Sequence, residues 1–189
     1  MNSKVLIISA PSGAGKTTLV QHLLSAGLPL MFSVSATSRK PRGSEVNGRE
    51  YYFITSAEFR RKIRKGEFIE WQEVYRDHYY GTLRSEIERI TGENKIPLFD
   101  LDVQGGINLK KIFGENALAV FIMPPSIEEL RSRLVKRGTD SPEKIEMRVE
   151  KASSEILLAD KFDRIIVNDG LGKACDEIME TVTEFIGRQ

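Results

Sequence analysis

Val5-Leu-Ile-Ile8, Ser9-Ala10-Pro11-Ser12-Gly13-Ala14-Gly15-Lys16-Thr17, and then Thr18 to Ala26 decide how the remaining chain is read. The first four residues are a continuous apolar run, as in a strand covered on both faces. The third segment carries Leu19, Leu23 and Leu24 at helical spacing and ends at Gly27, a helix stop. The small residues between them fit the phosphate-binding loop pattern G-x-x-x-x-G-K-[ST], with Ala10 in place of the first glycine. Small side chains are required there because backbone N–H groups must converge on phosphate oxygens without obstruction. Lys16 would reach the β- and γ-phosphates and the Thr17 hydroxyl would ligate Mg²⁺. The strand–loop–helix context raises this above a chance match and predicts a bound nucleoside triphosphate.

Outward from the loop, three more short runs read as buried strands: Ile96 to Leu101, Ala117 to Met123 and Arg164 to Val167. With helical patterns between them, they predict an α/β fold, a parallel sheet core flanked by helices. The chain has 189 residues, which suits one embellished unit of about 3–187 rather than two domains. Lys and Arg total 28 against 27 Asp and Glu, so no global field attracts nucleic acid or an anionic membrane. The apolar run near the N-terminus is too short for a signal or spanning segment, and a cytoplasmic protein is expected. The single cysteine, Cys175, excludes an internal disulfide and a four-cysteine zinc site. Its spacing from Leu171, Ile178, Val182 and Phe185 reads as a core thiol.

Two segments interrupt the α/β rhythm. Residues 35–91 are polar, Arg-rich and aromatic, with helical stretches at 57–65 and 83–91. They read as an inserted lobe, where specificity usually resides. Residues 126–151 open with Ser126 and Glu129 in a capping-box spacing, and continue with Ser141-Pro142 as an N-cap followed by proline at N1. They read as two helices, a candidate lid. The core is then 1–34, 92–125 and 152–189. Asp102-Val-Gln-Gly105 matches the D-x-x-G of a GTPase switch. Asn94-Lys95-Ile96-Pro97, however, has proline where the guanine-reading N-K-x-D motif needs aspartate, which disfavours a GTPase.

The inserted lobe carries a resemblance. Ser35-Ala-Thr-Ser-Arg39-Lys-Pro-Arg42, Glu45-Val-Asn-Gly48, Tyr51-Tyr-Phe53, Glu67-Phe-Ile-Glu70-Trp71 and Tyr79-Tyr-Gly-Thr82 resemble the monophosphate-binding lobe of guanylate kinases. Asp100-Leu-Asp102-Val-Gln-Gly105, Pro124-Pro-Ser126, Arg137-Gly-Thr-Asp140 and Val167-Asn-Asp169 continue the likeness in family order. Relative to the family pattern, the turn Val74-Tyr-Arg-Asp-His78 is one residue longer.

The resemblance implies a Mg²⁺-dependent transfer from ATP to GMP, with dGMP not distinguished from GMP and oligomeric state undetermined. Ala10 to Thr18 and Asn168 would bind ATP. Ser35, Arg39, Arg42, Tyr51 and Tyr80 would hold the GMP phosphate, and a dianion does favour guanidinium forks joined by hydroxyls. Glu70 would read guanine with help from Thr82, because a carboxylate accepts from N1–H and the 2-amino group together. Asp100 and Asp102 close the apolar strand, where open α/β sheets bind ligands. One would support the Mg²⁺ shell, Asp100 through water, and the other the guanosine side, or either would merely cap the next turn. Lys16 and the lid arginines Arg133, Arg137 and Arg148 would contact the transferring phosphates; Arg133 and Arg137, four apart, share a helical face. The competing expectation is a non-catalytic guanylate-kinase-like module that binds phosphoproteins. Such modules typically have a degraded loop, whereas Lys16, Thr17 and the lid arginines are retained here.

Overall fold

The computed structural model describes residues 3–138 and 140–188, so Thr139 of the inter-helix loop and the extreme termini lie outside the described residues. In chain order the elements are β1 Val5–Ser9, α1 Lys16–Ser25, β2 Leu30–Phe32, β3 Ala36–Thr37, β4 Tyr52–Phe53 and α2 Ser56–Arg64. There follow β5 Phe68–Tyr75, β6 His78–Leu83, α3 Arg84–Gly92, β7 Ile96–Leu101, α4 Val103–Phe113 and β8 Ala117–Met123. The chain closes with α5 Ile127–Arg137, α6 Pro142–Ile156, β9 Arg164–Val167 and α7 Leu171–Gly187.

A five-stranded sheet in the order β2-β7-β1-β8-β9 has every neighbour parallel. The apolar run of β1 serves both faces. Leu6 and Ile8 pack with Leu19 and Leu23 of α1 and with Ile178 and Val182 of α7. Val5 and Ile7 pack on the other side with Leu109 and Phe113 of α4. This two-sided burial is why β1, β7 and β8 carry continuous rather than alternating apolar residues. β9 departs from the expected buried strand: it is the sheet edge, with Ile165 and Val167 43% and 45% exposed and only Ile166 inside. Cys175 is half-buried against the α7 side of the core, and Leu171 is exposed.

A second sheet, β4-β3-β6-β5, lies within residues 35–91 and has its own small core around Phe59, Phe68, Tyr79 and Leu83. Phe59 stacks on Phe68 and Tyr79, with ring centroids 4.2 Å and 5.3 Å apart. Val74, Tyr75 and His78 of the segment read as a turn lie in the strands, which leaves a two-residue turn at Arg76-Asp77 and a register shift between Glu73 and Tyr75. A bulge admits one extra residue without disturbing the pairs beyond it. Glu70 therefore stays opposite Thr82, and Gln72 opposite Tyr80.

The helices α5 and α6 pack through Leu130, Leu134, Ile145 and Val149. At the start of α5, Ser126 Oγ accepts from Glu129 N–H at 3.0 Å. The reciprocal half of the expected capping box is absent, because the Glu129 carboxylate pairs with Arg133 at 2.9 Å. Ser141 occupies the N-cap position of α6 and Pro142 follows it, but the Ser141 hydroxyl makes no capping bond to the backbone. No helix among the described residues is long and apolar enough to cross a membrane.

Candidate active site

The phosphate loop leaves the carboxyl end of β1, the middle strand of the parallel sheet. Its tightness comes from Gly13 and Gly15, at φ 97° and 96°. A Cβ at Gly15 would stand 2.2 Å from Asn168 Nδ2, so both conformation and space demand glycine. Ala10 has negative φ and packs into the core, so alanine in the motif's first position brings no backbone strain. Ala14 is wholly buried, and its N–H turns back to Pro11 O at 3.2 Å. Asn168 Nδ2 donates to Ala14 O at 2.8 Å, and Arg133 donates to Asn168 O at 3.0 Å. Asn168 thus braces the loop from behind and does not line the cavity in front of it.

That cavity has a volume of about 690 Å³. Loop residues Ala10, Pro11, Ser12, Gly13, Gly15, Lys16, Thr17 and Thr18 form one wall. Asp100, Asp102 and Tyr51 form a second, and Arg133, Lys136, Arg137, Arg148 and Lys151 a third. Three elements distant in sequence therefore meet on one space. Arg148 already touches the loop, donating to Ser12 Oγ at 3.0 Å. The Lys16 ammonium is ion-paired with Asp100 and donates to Leu101 O at 2.7 Å.

A smaller cavity of about 210 Å³ adjoins through shared residues Tyr51, Asp100 and Asp102. Ser35, Glu70, Gln72 and Tyr80 complete its polar lining. Glu70 is 8% exposed and accepts from the Thr82 hydroxyl at 2.9 Å. Burial pushes its carboxyl up to about 7, with the nearby Asp102 charge adding and the Thr82 bond opposing. Thr82 is wholly buried and meets the cavity only through Glu70. Asp102 is the N-cap of α4, its Oδ1 accepting from Gly105 N–H at 2.8 Å. The D-x-x-G string is therefore a capped helix start, with the glycine three residues on. Asp100 and Asp102 are thus distinguished: one holds Lys16, and the other caps α4 and meets the lobe.

Arg39 and Arg42 are placed differently from expectation. The Arg39 fork is held by Glu45 in two bonds of 2.6 Å and 2.7 Å, and its Nε donates to Tyr80 Oη at 3.1 Å. Its guanidinium lies 5.0 Å from the Tyr51 ring centroid. This clamp holds the Glu45 carboxyl at about 2, chiefly through the Arg39 bonds. Arg39 therefore stands behind Tyr51 and Tyr80 rather than lining either cavity. Arg42 is exposed on an outer groove with Lys40 and Ser38. Sequence reasoning gave Glu45 no role; its signal was a lone acid in an Arg-rich turn. Gln72, Lys136 and Lys151 were also missed, since only the fold brings them to the cavities. Tyr79, beside Tyr80, belongs to the lobe core.

A central phosphate loop on a parallel sheet, faced by an acceptor lobe and an arginine-bearing helical pair, defines a P-loop nucleotide kinase. The family described as Guanylate kinase matches residues 2–185. Guanylate kinase of Porphyromonas gingivalis is 57% identical over 187 residues, covering 98% of this chain and 100% of that one. Guanylate kinase of Bacteroides thetaiotaomicron is 52% identical, covering 100% and 93%. A crystal structure of guanylate kinase from Anaplasma phagocytophilum superposes with a TM-score of 0.76 at 29% identity, over 99% of this chain and 88% of that one. The chain belongs to the guanylate kinase family.

Proposed function

We propose that this chain transfers the γ-phosphoryl group of Mg-ATP to GMP, giving ADP and GDP. The observation that carries the reading is the pair of adjoining cavities. One is walled by the phosphate loop and the lid cations, the other by Glu70 and the lobe tyrosines, and Tyr51, Asp100 and Asp102 are common to both. We take residues 35–91 as the GMP lobe, 126–151 as the lid and the remainder as the core; α6 runs on past the lid boundary to Ile156.

In this reading Glu70 accepts from guanine N1–H and the 2-amino group, and Thr82 orients it. Ser35, Tyr51 and Tyr80 receive the GMP phosphate, with Arg39 supplying charge from behind. Arg42 joins only if its loop turns inward. A phosphate oxygen of GMP attacks the γ-phosphorus in line as the bond to the ADP oxygen breaks. Such a reaction needs positioning and charge neutralisation more than a base. Lys16 exchanges Asp100 and the Leu101 carbonyl for the β- and γ-phosphates. Arg133, Arg137 and Arg148 stabilise the equatorial oxygens, and the lid excludes water, the competing acceptor.

Magnesium fits the donor set. Among the described residues there is no cluster of three or more His, Cys, Asp or Glu side chains suited to a metal. Magnesium at a nucleotide site needs few protein ligands, since phosphates and waters supply the rest. The Thr17 hydroxyl and Asp100, both on the large cavity, would hold it, Asp100 through water. When bound, it neutralises β- and γ-phosphate charge.

The test is ADP release from Mg-ATP with GMP, AMP, CMP and UMP offered separately. Turnover with GMP alone is expected. Equal turnover with AMP would overturn the role of Glu70, and none with any acceptor would overturn the kinase reading.

A further inference from the structure

One face of α6 looks onto the large cavity through Arg148, Lys151 and Glu155, spaced three and then four residues apart. At a rise of about 1.5 Å per residue, this stripe runs roughly 10 Å. At one end Arg148 donates to Ser12 Oγ of the phosphate loop at 3.0 Å. At the other, Glu155 lies within reach of the Lys16 and Asp102 charges, and Asp102 also lines the smaller cavity. Lys151 is therefore set between the loop that would cradle the donor and the lobe that would hold the acceptor.

Lys151 is ion-paired with Glu155 at 3.5 Å, and the pair is poorly placed to stabilise the helix. A cation followed by an acid four residues on is the weaker order for such a pair. Glu155 is also the penultimate residue of α6, where the helix dipole disfavours an anion. Its side chain is 14% exposed, against 62% for Lys151. Burial pushes the Glu155 carboxyl up; the Lys151 charge opposes this, Asp102 adds to it and Lys16 opposes it. A contact longer than a charge-assisted hydrogen bond does not offset those costs. What it does is keep an ammonium over the cavity. The neighbouring arginines are more firmly engaged: Arg148 with Ser12 and Asp140, Arg133 with Glu129 and the Asn168 carbonyl. Among the described residues no second acid is paired with Lys151. Its ammonium, on a flexible stem, has one loose partner to exchange for a phosphate oxygen.

We propose that Lys151 is a further catalytic residue, its ammonium leaving Glu155 to contact the phosphoryl group in transit between the two nucleotides. Glu155 is its positioning residue, holding the ammonium over the cavity until both phosphates are present. Lys151 neither gives nor takes a proton; it neutralises charge where two anionic phosphates are brought together. This rests on the GMP reading of the adjoining cavity.

The experiment measures kcat, and calorimetric affinity for Mg-ADP and for GMP separately, in the unmodified chain, Lys151→Met, Lys151→Arg and Glu155→Gln. Lys151→Met should lower kcat by about 10- to 100-fold and leave each separate affinity within about threefold. Lys151→Arg, which keeps the charge, should recover most of that kcat. Glu155→Gln should lower kcat about threefold alone and no further in the Lys151→Met background, because residues acting through one contact are not additive. An unchanged kcat in Lys151→Met would overturn the proposal. So would equal losses in the two Lys151 variants, since the charge would then not be the cause. A loss of Mg-ADP affinity matching the loss of kcat would overturn it too, making Lys151 a ground-state binding residue. If Glu155→Gln loses the same factor in both backgrounds, its positioning role falls. Absence of GMP turnover in the unmodified chain would instead overturn the GMP reading, and the transfer role of Lys151 with it.

Discussion

Glu70 shows how a single side chain can trade stability for recognition. An isolated carboxylate in a buried, largely apolar strand is unfavourable, and burial raises the Glu70 carboxyl to about 7. For an acid whose folded pKa lies above its unfolded value, the stabilising contribution belongs to the protonated form. It is fully present below the unfolded value of 4.5 and is lost as pH rises to the folded value of about 7. Glu70→Gln removes that loss. Its melting temperature relative to the parent should therefore rise with pH, with little difference near pH 4 and a gain of a few degrees at pH 8. The parent's affinity for GMP should improve as pH rises through the folded value of about 7, since only the ionised carboxylate accepts two guanine donors. Glu70→Gln should flatten that rise and lose preference over AMP, as calorimetric titration and turnover at several pH values would show. A variant with unchanged preference would remove Glu70 from base reading. Arg39 presents the opposite economy: its charge is satisfied by Glu45 in advance, so an arriving phosphate must share or displace that partner. Glu45→Gln should weaken this hold and change KM for GMP more than KM for ATP.

At the scale of elements, the lid is built from helices whose ends and charges have separate tasks. Ser126 caps α5 by one bond to Glu129 N–H, so Ser126→Ala should cost roughly 1 kcal/mol of stability, read by denaturant unfolding. Arg137 lines the large cavity near the end of the same helix. Arg137→Ala should leave binding of each nucleotide nearly intact while lowering kcat by about 10²-fold or more. Equal losses in ground-state affinity would make Arg137 a binding residue instead. What could be read in advance differs by element for a physical reason. β7 and β8 were legible to their end residues because burial on both faces writes a continuous apolar run into the chain. β2, a short strand beginning just after Pro29, and the two-residue strands β3 and β4 were not. They exist through pairing with distant partners such as Leu98 and Gly81, which leaves no local period. The phosphate loop was legible because its constraints are local, small residues between a strand and a helix. The Glu45 clamp and the Gln72–Asp102 bond were not, since each depends on how a loop or lobe folds back on residues outside its own element. Asp102 shows a third case: the sequence marked the residue, and only the geometry separated its capping task from the pairing of Asp100 with Lys16.

At the scale of the whole molecule, the lobe must stay registered against the phosphate loop for two phosphates to meet in line. Glu86 is the side chain placed to do this. It is 3% exposed on α3, accepts from Val34 N–H at 2.9 Å on the core side, and from the Tyr52 hydroxyl at 3.1 Å on the lobe side. Arg89 adds bonds of 2.7 Å and 3.1 Å. Burial alone would raise this carboxyl, but the Arg89 and Val34 bonds outweigh it and hold it below its ordinary value. Its contribution is thus present above the unfolded carboxyl's pKa and lost as pH falls through the folded one. Removing the side chain leaves a buried N–H and a hydroxyl without their acceptor. Glu86→Ala should therefore cost about 3 kcal/mol, lowering the melting temperature by roughly 5–10 °C. Its effect on catalysis should be asymmetric. The phosphate loop, Lys16 and the Asn168 brace all lie on the core side, so KM for ATP should move little. KM for GMP should rise, because Ser35 and Tyr51 enter the site from segments that Glu86 ties down at Val34 and Tyr52. Measured on folded protein well below the melting transition, equal rises in both constants would mean that Glu86 supports the fold as a whole and not the register of the lobe.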